Sequence, residues 1–484
     1  MIASVNKSNI FFALLAVMFI SFVAVSFLTE NYYLLAAPFA VLFLYAGWQN
    51  KELVFFLLLF TLPLSFEYHF SSTLGTDIPD ELLMLFVSGL FIAYWFYFPG
   101  AISKKTLLHP LILLLLILFG WILITVIFST HPLLSLKFLL AKTWYAGAFV
   151  LAPLILFRQK KLITAAAILI TGAMMIVAII ALMRHKENGF SFATINDAVY
   201  PLFRNHVNYS AMLVCIIPVL FAFFRQSKKG DEKFIIAVLI IIALAALFFS
   251  YSRGAWLALL IGFAAYWLIK KRLLVYTYVA AVMLAAIALF WIKNNDRYLQ
   301  YAPDFKTTIF HKNFAEHLVA TYRLKDVSTE ERFYRWIAGI RMIKDNWLTG
   351  YGPNTFYDNY KGYAVPAFKT WVSDNKDHST VHNYFLLTAI EQGIPGLIFL
   401  LIILGAMLFY AQYLYHRAKD SFYKATAITI GVIITMITML IFLSDLIETD
   451  KIGSLFFLCL ATLVATDINI KRKSNSSPDI QRIP

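Results

Sequence analysis

The chain has 484 residues, of which 61% are hydrophobic and 14% are charged, and its formal net charge is +14 at pH 7. A soluble domain carries about a quarter charged residues. The composition therefore excludes an ordinary soluble protein and predicts an integral membrane protein. Most of the positive charge lies in short loops between apolar runs, which is typical of an orientation signal and not of nucleic-acid binding.

Apolar runs recur along the chain at lengths close to the roughly 20 residues that a helix needs to cross the hydrocarbon layer. They predict an all-α fold: a polytopic helical membrane protein with about 12–14 transmembrane helices and one large extracytoplasmic loop subdomain. The runs lie at about 10–28, 32–48, 52–65, 81–98, 110–129, 138–157, 162–183, 209–225, 234–250, 255–270, 273–292, 394–415, 424–444 and 452–468.

The basic residues of the short loops predict which side of the membrane each loop faces, because Lys and Arg stay on the cytoplasmic side. If both termini are cytoplasmic, every basic loop falls on that side. The basic residues are Lys104 and Lys105 and those of segments 158–161, 225–229, 270–272, 416–419 and 471–473. The acidic segments 67–81 and 444–450 then face outward.

The pattern divides the chain into four regions. These are an N-terminal transmembrane bundle at 1–292, an extracytoplasmic (periplasmic) loop subdomain at 293–381, C-terminal transmembrane helices at 382–470, and a disordered cytoplasmic tail at 471–484. The loop is too long to be a mere connection. Its best helix is predicted to begin at Ser328, because Ser328 and Glu331 have the spacing of a capping box. The apolar side of that helix is expected to lie on the membrane surface or on the spans beneath.

The stretch from His382 to Gly396 is the most informative part of the sequence, because a His-Asn pair stands at the edge of a predicted span and is followed by glycines at fixed spacing. Two other stretches accompany it: YSRGAW at 251–256, and Arg332 four residues before Trp336, followed by KDNWLTGYGPNTF at 344–356. Together these motifs resemble the signature of the O-antigen ligase family, which also includes O-antigen polymerases and some protein O-oligosaccharyltransferases. The N-terminal half is similar in hydropathy alone.

His382 is the first candidate for catalysis, because a neutral imidazole can take a proton from a sugar hydroxyl near neutral pH. No nearby carboxylate has a better claim to act as the base. Asn383 either orients a substrate through its amide or caps the following helix. Glu391, nine residues after His382, favours an interaction at a helix end over the role of a catalytic acid.

Arginines near the outer ends of spans are the candidates for phosphate binding, because a guanidinium holds a phosphate through two parallel hydrogen bonds. At membrane depth, the charge of Arg253 carries a large free-energy cost unless the residue is paired or functional. The resemblance implies that Arg332 contacts a lipid diphosphate, and both arginines are expected to act with His382 in catalysis. Arg335, one helical turn from Arg332 on the same face, and Arg204 are expected to bind substrate.

Asn383 and three further residues complete the set of candidates. Asn383, named above, and Tyr351, by stacking on a sugar ring, are expected to bind substrate. Arg341 points away from Arg332 on its helix and is expected to face solvent. Lys142, inside the outer end of its span, is interpreted as a lysine that reaches the membrane interface, with anion binding as an alternative.

Neither a metal site nor another cofactor is predicted. His378 and His382 have the i, i+4 spacing of two zinc ligands on one helix face, but Ser379 stands where the zinc-protease pattern requires Glu. The two cysteines, Cys215 and Cys459, lie inside predicted spans, so the sequence predicts no disulfide framework.

The resemblance implies a metal-independent glycosyltransferase in the bacterial cytoplasmic (inner) membrane, with its active site facing the periplasm. Its donor would be a polyprenyl-diphosphate-linked glycan, its acceptor a lipid or glycan hydroxyl, and its other partners membrane lipids. A ligase passing glycan to a lipid A core sugar is favoured over a polymerase extending lipid-linked repeats, and a protein O-oligosaccharyltransferase comes third. A transporter of polyprenyl-linked glycans is the alternative from another class, and the sequence lacks the paired broken spans of inverted repeats.

Overall fold

The computed structural model of the chain describes residues 45–69, 75–293, 327–365 and 380–476, together with scattered positions between 17 and 29. Ten helices within these ranges are long and apolar enough to cross a membrane. The predicted fold class, an all-α polytopic membrane protein, is thereby confirmed.

The main helices are numbered in chain order. They are α1 (Lys51–Thr61), α2 (Asp80–Tyr97), α3 (Pro110–Ile127), α4 (Pro132–Leu156), α5 (Lys160–Glu187), α6 (His206–Gln226), α7 (Gly230–Phe248), α8 (Arg253–Lys270), α9 (Leu274–Lys293), α10 (Val327–Asp345), α11 (Tyr384–Arg417), α12 (Ser421–Leu443) and α13 (Asp450–Ser476). Short α-helical segments are Lys104–Leu107, Ile195–Val199 and Phe356–Asn359, and α4 contains a π turn at Gly147–Leu151. The 3-10 turns are Leu62–Leu64, Pro99–Ala101, Phe192–Thr194, Tyr360–Tyr363 and Leu446–Glu448.

One antiparallel hairpin interrupts the helical pattern within the described ranges. Strand β1 (Phe66–His69) pairs with β2 (Gly75–Ile78), with Phe66 opposite Ile78. It lies in the segment that the sequence predicts as an outer loop. A two-stranded hairpin is marginal by itself, and β2 leads directly into α2, which anchors it to the bundle.

The predicted spans correspond to helices with three differences. The runs 10–28 and 32–48 lie mostly outside the described residues. The run 52–65 forms the 11-residue α1, which at 1.5 Å per residue is about 16 Å long and too short to span the hydrocarbon core. The run 234–250 forms α7, which begins with the charged residues Asp231, Glu232 and Lys233 and is not among the ten candidate spans.

Helix α13 forms the centre of the bundle. Within its span 94% of the residues are buried, whereas in α9 only 6% are. The sequence of α13 explains this position, since small and hydroxyl-bearing residues such as Gly453, Ser454 and Ala461 let neighbouring helices approach closely. A Cβ at Gly453 would lie 2.7 Å from the carbonyl oxygen of Ile447.

The C-terminal boundary differs from the predicted one. Helix α13 continues to Ser476, past Lys471, the residue at which the sequence predicts a disordered tail to begin. The physical reason is an ion pair between Lys471 and Asp467, one turn earlier on the same helix, which stabilises the helix beyond the apolar run.

The loops with the basic segments meet at one end of the bundle. There His416 Nε2 lies 2.9 Å from the carbonyl oxygen of Ile269, and the side chain of Asn469 donates a hydrogen bond of 2.8 Å to the carbonyl oxygen of Phe157. This end is called the basic end below. Which side of the membrane it faces stays a prediction.

The remaining loops meet at the opposite end, called the site end below. The backbone N–H of Tyr384 donates to the carbonyl oxygen of Ser444 (3.2 Å), and that of Thr130 donates to the carbonyl oxygen of Tyr351 (2.9 Å). The first bond joins the start of α11 to the end of α12, and the second joins the end of α3 to the segment that follows α10. The sequence motifs therefore converge at one end of the bundle.

Candidate functional site

The helix that carries the His-Asn motif is interrupted at Gly393. Gly393 has a φ of +71°, and a Cβ there would lie 2.1 Å from the carbonyl oxygen of Leu348. Only glycine adopts this conformation without strain and leaves that space. The segment after α10 uses it: Tyr351 N–H donates to the Ile390 carbonyl (3.0 Å), and Ile394 N–H to the Trp347 carbonyl (2.8 Å).

The carboxylate of Glu391 fixes the same segment. Buried beside the break, it accepts hydrogen bonds from the backbone N–H groups of Asn354 (2.9 Å), Thr355 (3.0 Å) and Phe356 (3.1 Å). Three donors on one buried side chain are a strong anchor. This arrangement agrees with the interpretation of Glu391 as a structural residue and not a catalytic acid.

The second glycine of the motif, Gly396, makes room for a contact with α3. A Cβ at Gly396 would lie 3.3 Å from Nε1 of Trp121 and 2.5 Å from Cβ of Gln392. The indole N–H of Trp121 donates to the Gln392 carbonyl at 2.8 Å, which satisfies a backbone group that the break in α11 releases. The spacing of the motif is thus explained by backbone contacts around the break.

His382 and Asn383 form the entrance to α11. The side-chain oxygen of Asn383 accepts from the N–H of Leu386 at 3.0 Å. Asn383 is therefore the N-cap of α11, which was one of its two interpretations. His382 has a φ of +52°, which is uncommon outside glycine. The cap and this turn together fix the position of the imidazole.

Helix α10 lies across the first turns of α11. It begins at Val327, one residue before the start predicted from the capping box. Its apolar side packs on the helix beneath: Ala338 and Met342 are fully buried, and a Cβ at Gly339 would lie 2.5 Å from the side chain of Ile390. The apolar side therefore lies on a span.

Arg335 of α10 connects this helix with His382. The residue is 1% exposed; its Nη1 donates to the Thr380 carbonyl at 2.9 Å and lies 3.3 Å from Nε2 of His382. Its Nη2 lies 3.2 Å from a carboxylate oxygen of Glu331. Because a guanidinium has no acceptor, the contact with His382 requires Nε2 to be unprotonated.

Asp445, just after α12, is a member of the site that the sequence analysis missed. Its carboxylate accepts a hydrogen bond of 2.8 Å from the hydroxyl of Thr380, and the N–H of His382 donates to the same hydroxyl at 3.3 Å. The acidic character of the segment 444–450 was the one available signal. The approach of Asp445 to His382 depends on contacts between helices that are distant in sequence.

The electrostatic surroundings keep His382 neutral. The pKa of its imidazole is lowered to about 4, first by burial and then by the positive charges of Arg335 and Arg332, while the negative charge of Asp445 opposes them. Arg332 lies one helical turn before Arg335 on α10, and its charge acts on the imidazole of His382, so these three candidates lie in one region of the structure.

Arg253 lies at the same end of the bundle, as the first residue of α8. A Cβ at the next residue, Gly254, would be 3.1 Å from the side chain of Leu443. Leu443 ends α12, directly before the Ser444 carbonyl that binds Tyr384. The guanidinium nitrogen Nη1 of Arg253 is buried.

The other candidates have different surroundings. Arg204 is exposed and precedes Asn205, the N-cap of α6. Tyr351 is 9% exposed, and its hydroxyl donates to that of Tyr363 at 2.7 Å, so its ring packs within the segment after α10. Arg341 is exposed, as predicted.

Lys142 forms an ion pair with Glu448, with 2.7 Å between its Nζ and the nearer carboxylate oxygen. Its ammonium group also lies 5.1 Å from the ring centre of Phe138. The residue is 7% exposed. The structure therefore corrects its interpretation as an interfacial lysine, because a carboxylate from the loop before α13 holds it inside the bundle.

A group of three carboxylates near the start of α13 bears on metal binding. Carboxylate oxygens of Asp77, Asp80 and Asp450 lie within 4.8 Å of one another, and such oxygens suit hard divalent cations. Lys451 interacts electrostatically with all three, which supplies a positive charge to this group. His378, the other residue of the weak zinc pattern, lies outside the described residues.

The fold and this arrangement define a polytopic membrane protein with a buried histidine, flanked by arginines and a carboxylate, at one end of its helical bundle. Residues 237–401 match the model of the O-antigen ligase family. A stretch of 207 residues, 42% of this chain, is 30% identical to the O-antigen ligase of Salmonella typhimurium.

The match covers 46% of the Salmonella protein, so the chain aligns with about half the length of this curated relative. The family match includes Arg253, Arg332, Arg335 and His382 as well as the break in α11. The resemblance to the O-antigen ligase family, predicted from the motifs, is thereby confirmed.

Proposed function

We propose that this protein is a glycosyltransferase of the O-antigen ligase type, which moves a glycan from a polyprenyl diphosphate donor to a sugar hydroxyl of the lipid A core. The observation that carries the proposal is the contact between Arg335 and His382, beside Arg332, in the part of the chain that is similar to O-antigen ligases. A buried imidazole beside guanidinium groups suits proton transfer next to a polyanionic leaving group.

The arginines would hold the diphosphate of the donor. A planar guanidinium binds phosphate oxygens through two parallel hydrogen bonds, and Arg253 and Arg332 would stabilise the charge that grows on the diphosphate as it leaves. Arg335 and Arg204 would assist in binding. The buried position of Arg335 favours a role in holding His382 and Arg332 in place.

His382 would act as the base. The acceptor oxygen attacks the anomeric carbon, the bond from that carbon to the diphosphate oxygen breaks, and the polyprenyl diphosphate leaves with the bonding electron pair. The hydroxyl proton passes to Nε2 of His382, which is unprotonated and exchanges its contact with Arg335 for the acceptor hydroxyl. Direct displacement would invert the anomeric centre.

Donor binding would itself make His382 a better base. Without the donor, the positive charges of Arg332 and Arg335 lower the pKa of the imidazole. A diphosphate offsets those charges, so the pKa rises toward the range in which a general base is efficient. Proton transfer is then favoured when the leaving group is in place.

The arrangement of the loops supports a periplasmic site in the bacterial inner membrane. The basic loops lie at the end of the bundle opposite His382, and short loops rich in Lys and Arg remain in the cytoplasm. Lipid-linked glycan would then reach the site from the outer leaflet. The last described part of α13, after Asn469, lies at the basic end, which agrees with a cytoplasmic C-terminus.

A polymerase that extends lipid-linked repeats is the nearest alternative, because it needs the same donor and the same base. A protein O-oligosaccharyltransferase differs only in its acceptor. For a transporter of lipid-linked glycan, the arginines would bind phosphate, but the contact of Arg335 with His382 would have no chemical use. We favour a metal-independent transferase.

Two experiments test the proposal. A deletion strain analysed on a glycolipid gel should accumulate lipid-linked polymer that never reaches the core, whereas loss of a polymerase would leave the core capped with one repeat. Purified protein should also join glycan from a polyprenyl diphosphate to core acceptor without a second protein. Failure of transfer together with movement of the donor across vesicles would favour the transporter.

A further inference from the structure

Three carboxylates from distant parts of the chain converge at the site end of the bundle. Asp77 belongs to β2, Asp80 is the first residue of α2, and Asp450 is the first residue of α13. One carboxylate oxygen of each residue lies within 4.8 Å of the other two. Carboxylates at such distances need a proton or a cation between them, because like charges repel strongly when they are partly buried.

Lys451 offsets only part of this negative charge. Its ammonium group interacts electrostatically with all three carboxylates, but it donates hydrogen bonds to the carbonyl oxygens of Ser65, at 2.9 Å, and of Leu202. Glu81 adds a fourth negative charge, which acts on Asp450. One ammonium group therefore stands against four carboxylates, and a divalent cation would lower the charge that remains.

The side chain of Asp80 gives a second indication of a bound cation. It is 0% exposed. Its Oδ1 accepts from the N–H of Glu81 at 3.0 Å, whereas its Oδ2 is buried and accepts no hydrogen bond within the described part of the chain. The hydroxyl of Ser65 lies close to Asp80, but it donates to the carbonyl oxygen of Leu62 at 2.9 Å. A buried carboxylate oxygen without a donor carries a free-energy cost, which direct contact with a metal ion would remove.

The groups around the three carboxylates hold them in place and leave a path for an ion. The hydroxyl of Tyr145 donates to Oδ1 of Asp450, and the N–H of Asp77 donates to the carboxylate of Glu81 at 3.2 Å. Outer contacts of this kind orient the ligands of a metal ion. Asp77 and Asp450 are partly exposed, so an ion can reach the buried Asp80 from the aqueous side.

We propose that Asp77, Asp80 and Asp450 bind a calcium ion, which fastens the β1–β2 hairpin to the starts of α2 and α13. The ligand atoms are all carboxylate oxygens, which suit a hard cation. Calcium binds such oxygens at about 2.4 Å, so two oxygens on opposite sides of the ion are about 5 Å apart. Magnesium is the weaker candidate, because it gives up its water reluctantly and the side chain of Asp80 is sealed from water.

The ion would have a structural role. The hairpin is marginal by itself, and one ion would join it to two helices that are far apart in the sequence. The charges that act on the imidazole of His382 come from Asp445, Arg335 and Arg332, and none of these residues is a ligand of the ion. Removal of calcium should therefore lower the stability of the protein and leave transfer unchanged at temperatures below the Tm.

Thermal unfolding of the full-length protein in detergent tests the proposal. After EDTA treatment, 10 mM CaCl2 should raise the Tm by about 2 °C or more. Half of the effect should be reached at about 0.1 to 1 mM, the affinity usual for calcium sites outside the cytoplasm. MgCl2 at the same concentration should have a much smaller effect.

Substitutions of the ligands locate the response. Asp77→Asn and Asp450→Asn should each abolish the effect of CaCl2 on the Tm. In EDTA the Tm of these two variants should equal or exceed that of the wild type, because one of the converging negative charges is gone. Asp197→Asn, exposed between α5 and α6, is the matched control and should respond as the wild type does. His382→Ala should also keep the response, which separates this site from the proposed function.

A terbium ion, which replaces calcium, gives a second measurement on the wild-type protein. Excitation of Tyr145, whose hydroxyl donates to Asp450, should sensitise terbium luminescence, and CaCl2 should suppress it. The absence of this luminescence would overturn the proposal, as would a wild-type Tm that does not respond to CaCl2, the result expected if the carboxylates share a proton. An equal response to MgCl2, or a response to CaCl2 retained in both Asp77→Asn and Asp450→Asn, would also overturn it.

Discussion

The site end and the basic end of the bundle use buried polar groups in different ways. At the site end, Arg335 and Glu391 bond to backbone groups of other segments. At the basic end, the side chains of His416 and Asn469 also contact backbone groups of other segments, but these groups belong to the ends of neighbouring helices. Bonds between segments fix a geometry that packing alone would leave loose. The site end therefore fixes the turn at His382 and the segment after α10 against the spans, whereas the basic end joins the spans to one another.

The sharpest test of this comparison is which side of the membrane each end faces. A cysteine in place of Lys361, which is exposed after α10, should react with a membrane-impermeant thiol reagent added from outside the inner membrane. A cysteine in place of Lys105 should react only after permeabilisation. The native Cys215 and Cys459 are buried and give little background. The reverse pattern of labelling would invert the proposed orientation.

Loss of the base should have the next largest effect. His382→Ala should lower transfer by about 10²- to 10⁴-fold, the usual contribution of a general base, with normal insertion into the membrane. Rates measured with purified protein and lipid-linked donor give the comparison.

The control for this variant is His378→Ala, which should be far milder, and the wild-type protein should remain active with a chelator. An inactive His378→Ala together with chelator sensitivity would argue for a metal mechanism. In that case the carboxylates of Asp77, Asp80 and Asp450 would be the first groups to test. Full activity in His382→Ala would contradict the proposed chemistry outright.

Replacement of arginine by lysine tests the phosphate contacts. Arg253→Lys and Arg332→Lys keep the charge but lose the planar fork, so each should cost about 2 to 4 kcal/mol of transition-state stabilisation. Arg341→Lys, on the exposed side of α10, is the matched control. If kcat/KM in the first two variants equals that of the control, these arginines serve only to anchor the protein at the interface.

These tests rest on residues that the sequence could identify, and the sequence identified them because their signals are local. The spacing of Ser328 and Glu331 predicts the start of α10 to within one residue, and the His-Asn pair and its glycines are visible as a motif. The structural role of Glu391 could be inferred from its position before Gly393. Each of these features is contained within about one or two helical turns.

What the sequence could not predict are contacts between distant segments. Asp445 lies 63 residues from His382, and nothing in either neighbourhood indicates that α12 brings them together. The burial of Lys142 beside Glu448 has the same origin. The length of an apolar run also does not give the length of the helix that it forms. For this reason the run 52–65 was predicted as a span, although α1 is short.

The anchor at the break in α11 should matter for stability more than for chemistry. Glu391→Gln disturbs three hydrogen bonds to the segment after α10, and we expect a loss of about 1 to 3 kcal/mol, seen as a lower Tm in detergent. Glu187→Gln, exposed at the end of α5, should leave Tm unchanged. An unchanged Tm in Glu391→Gln would show that packing alone holds the segment.

The smallest effect should come from Asp445→Asn, and it should appear in the pH profile. His382 must be neutral to accept a proton, so activity is lost as pH falls through the pKa of the imidazole, which is about 4 in the free protein. Asp445 raises that pKa, and its removal should move the acid limb of kcat/KM to lower pH. In the wild-type protein, the limb of kcat should lie at higher pH than that of kcat/KM, since bound diphosphate offsets the arginine charges. If the variant merely lost stability, its rate would fall without movement of either limb, and the proposed link between Asp445 and the base would be wrong.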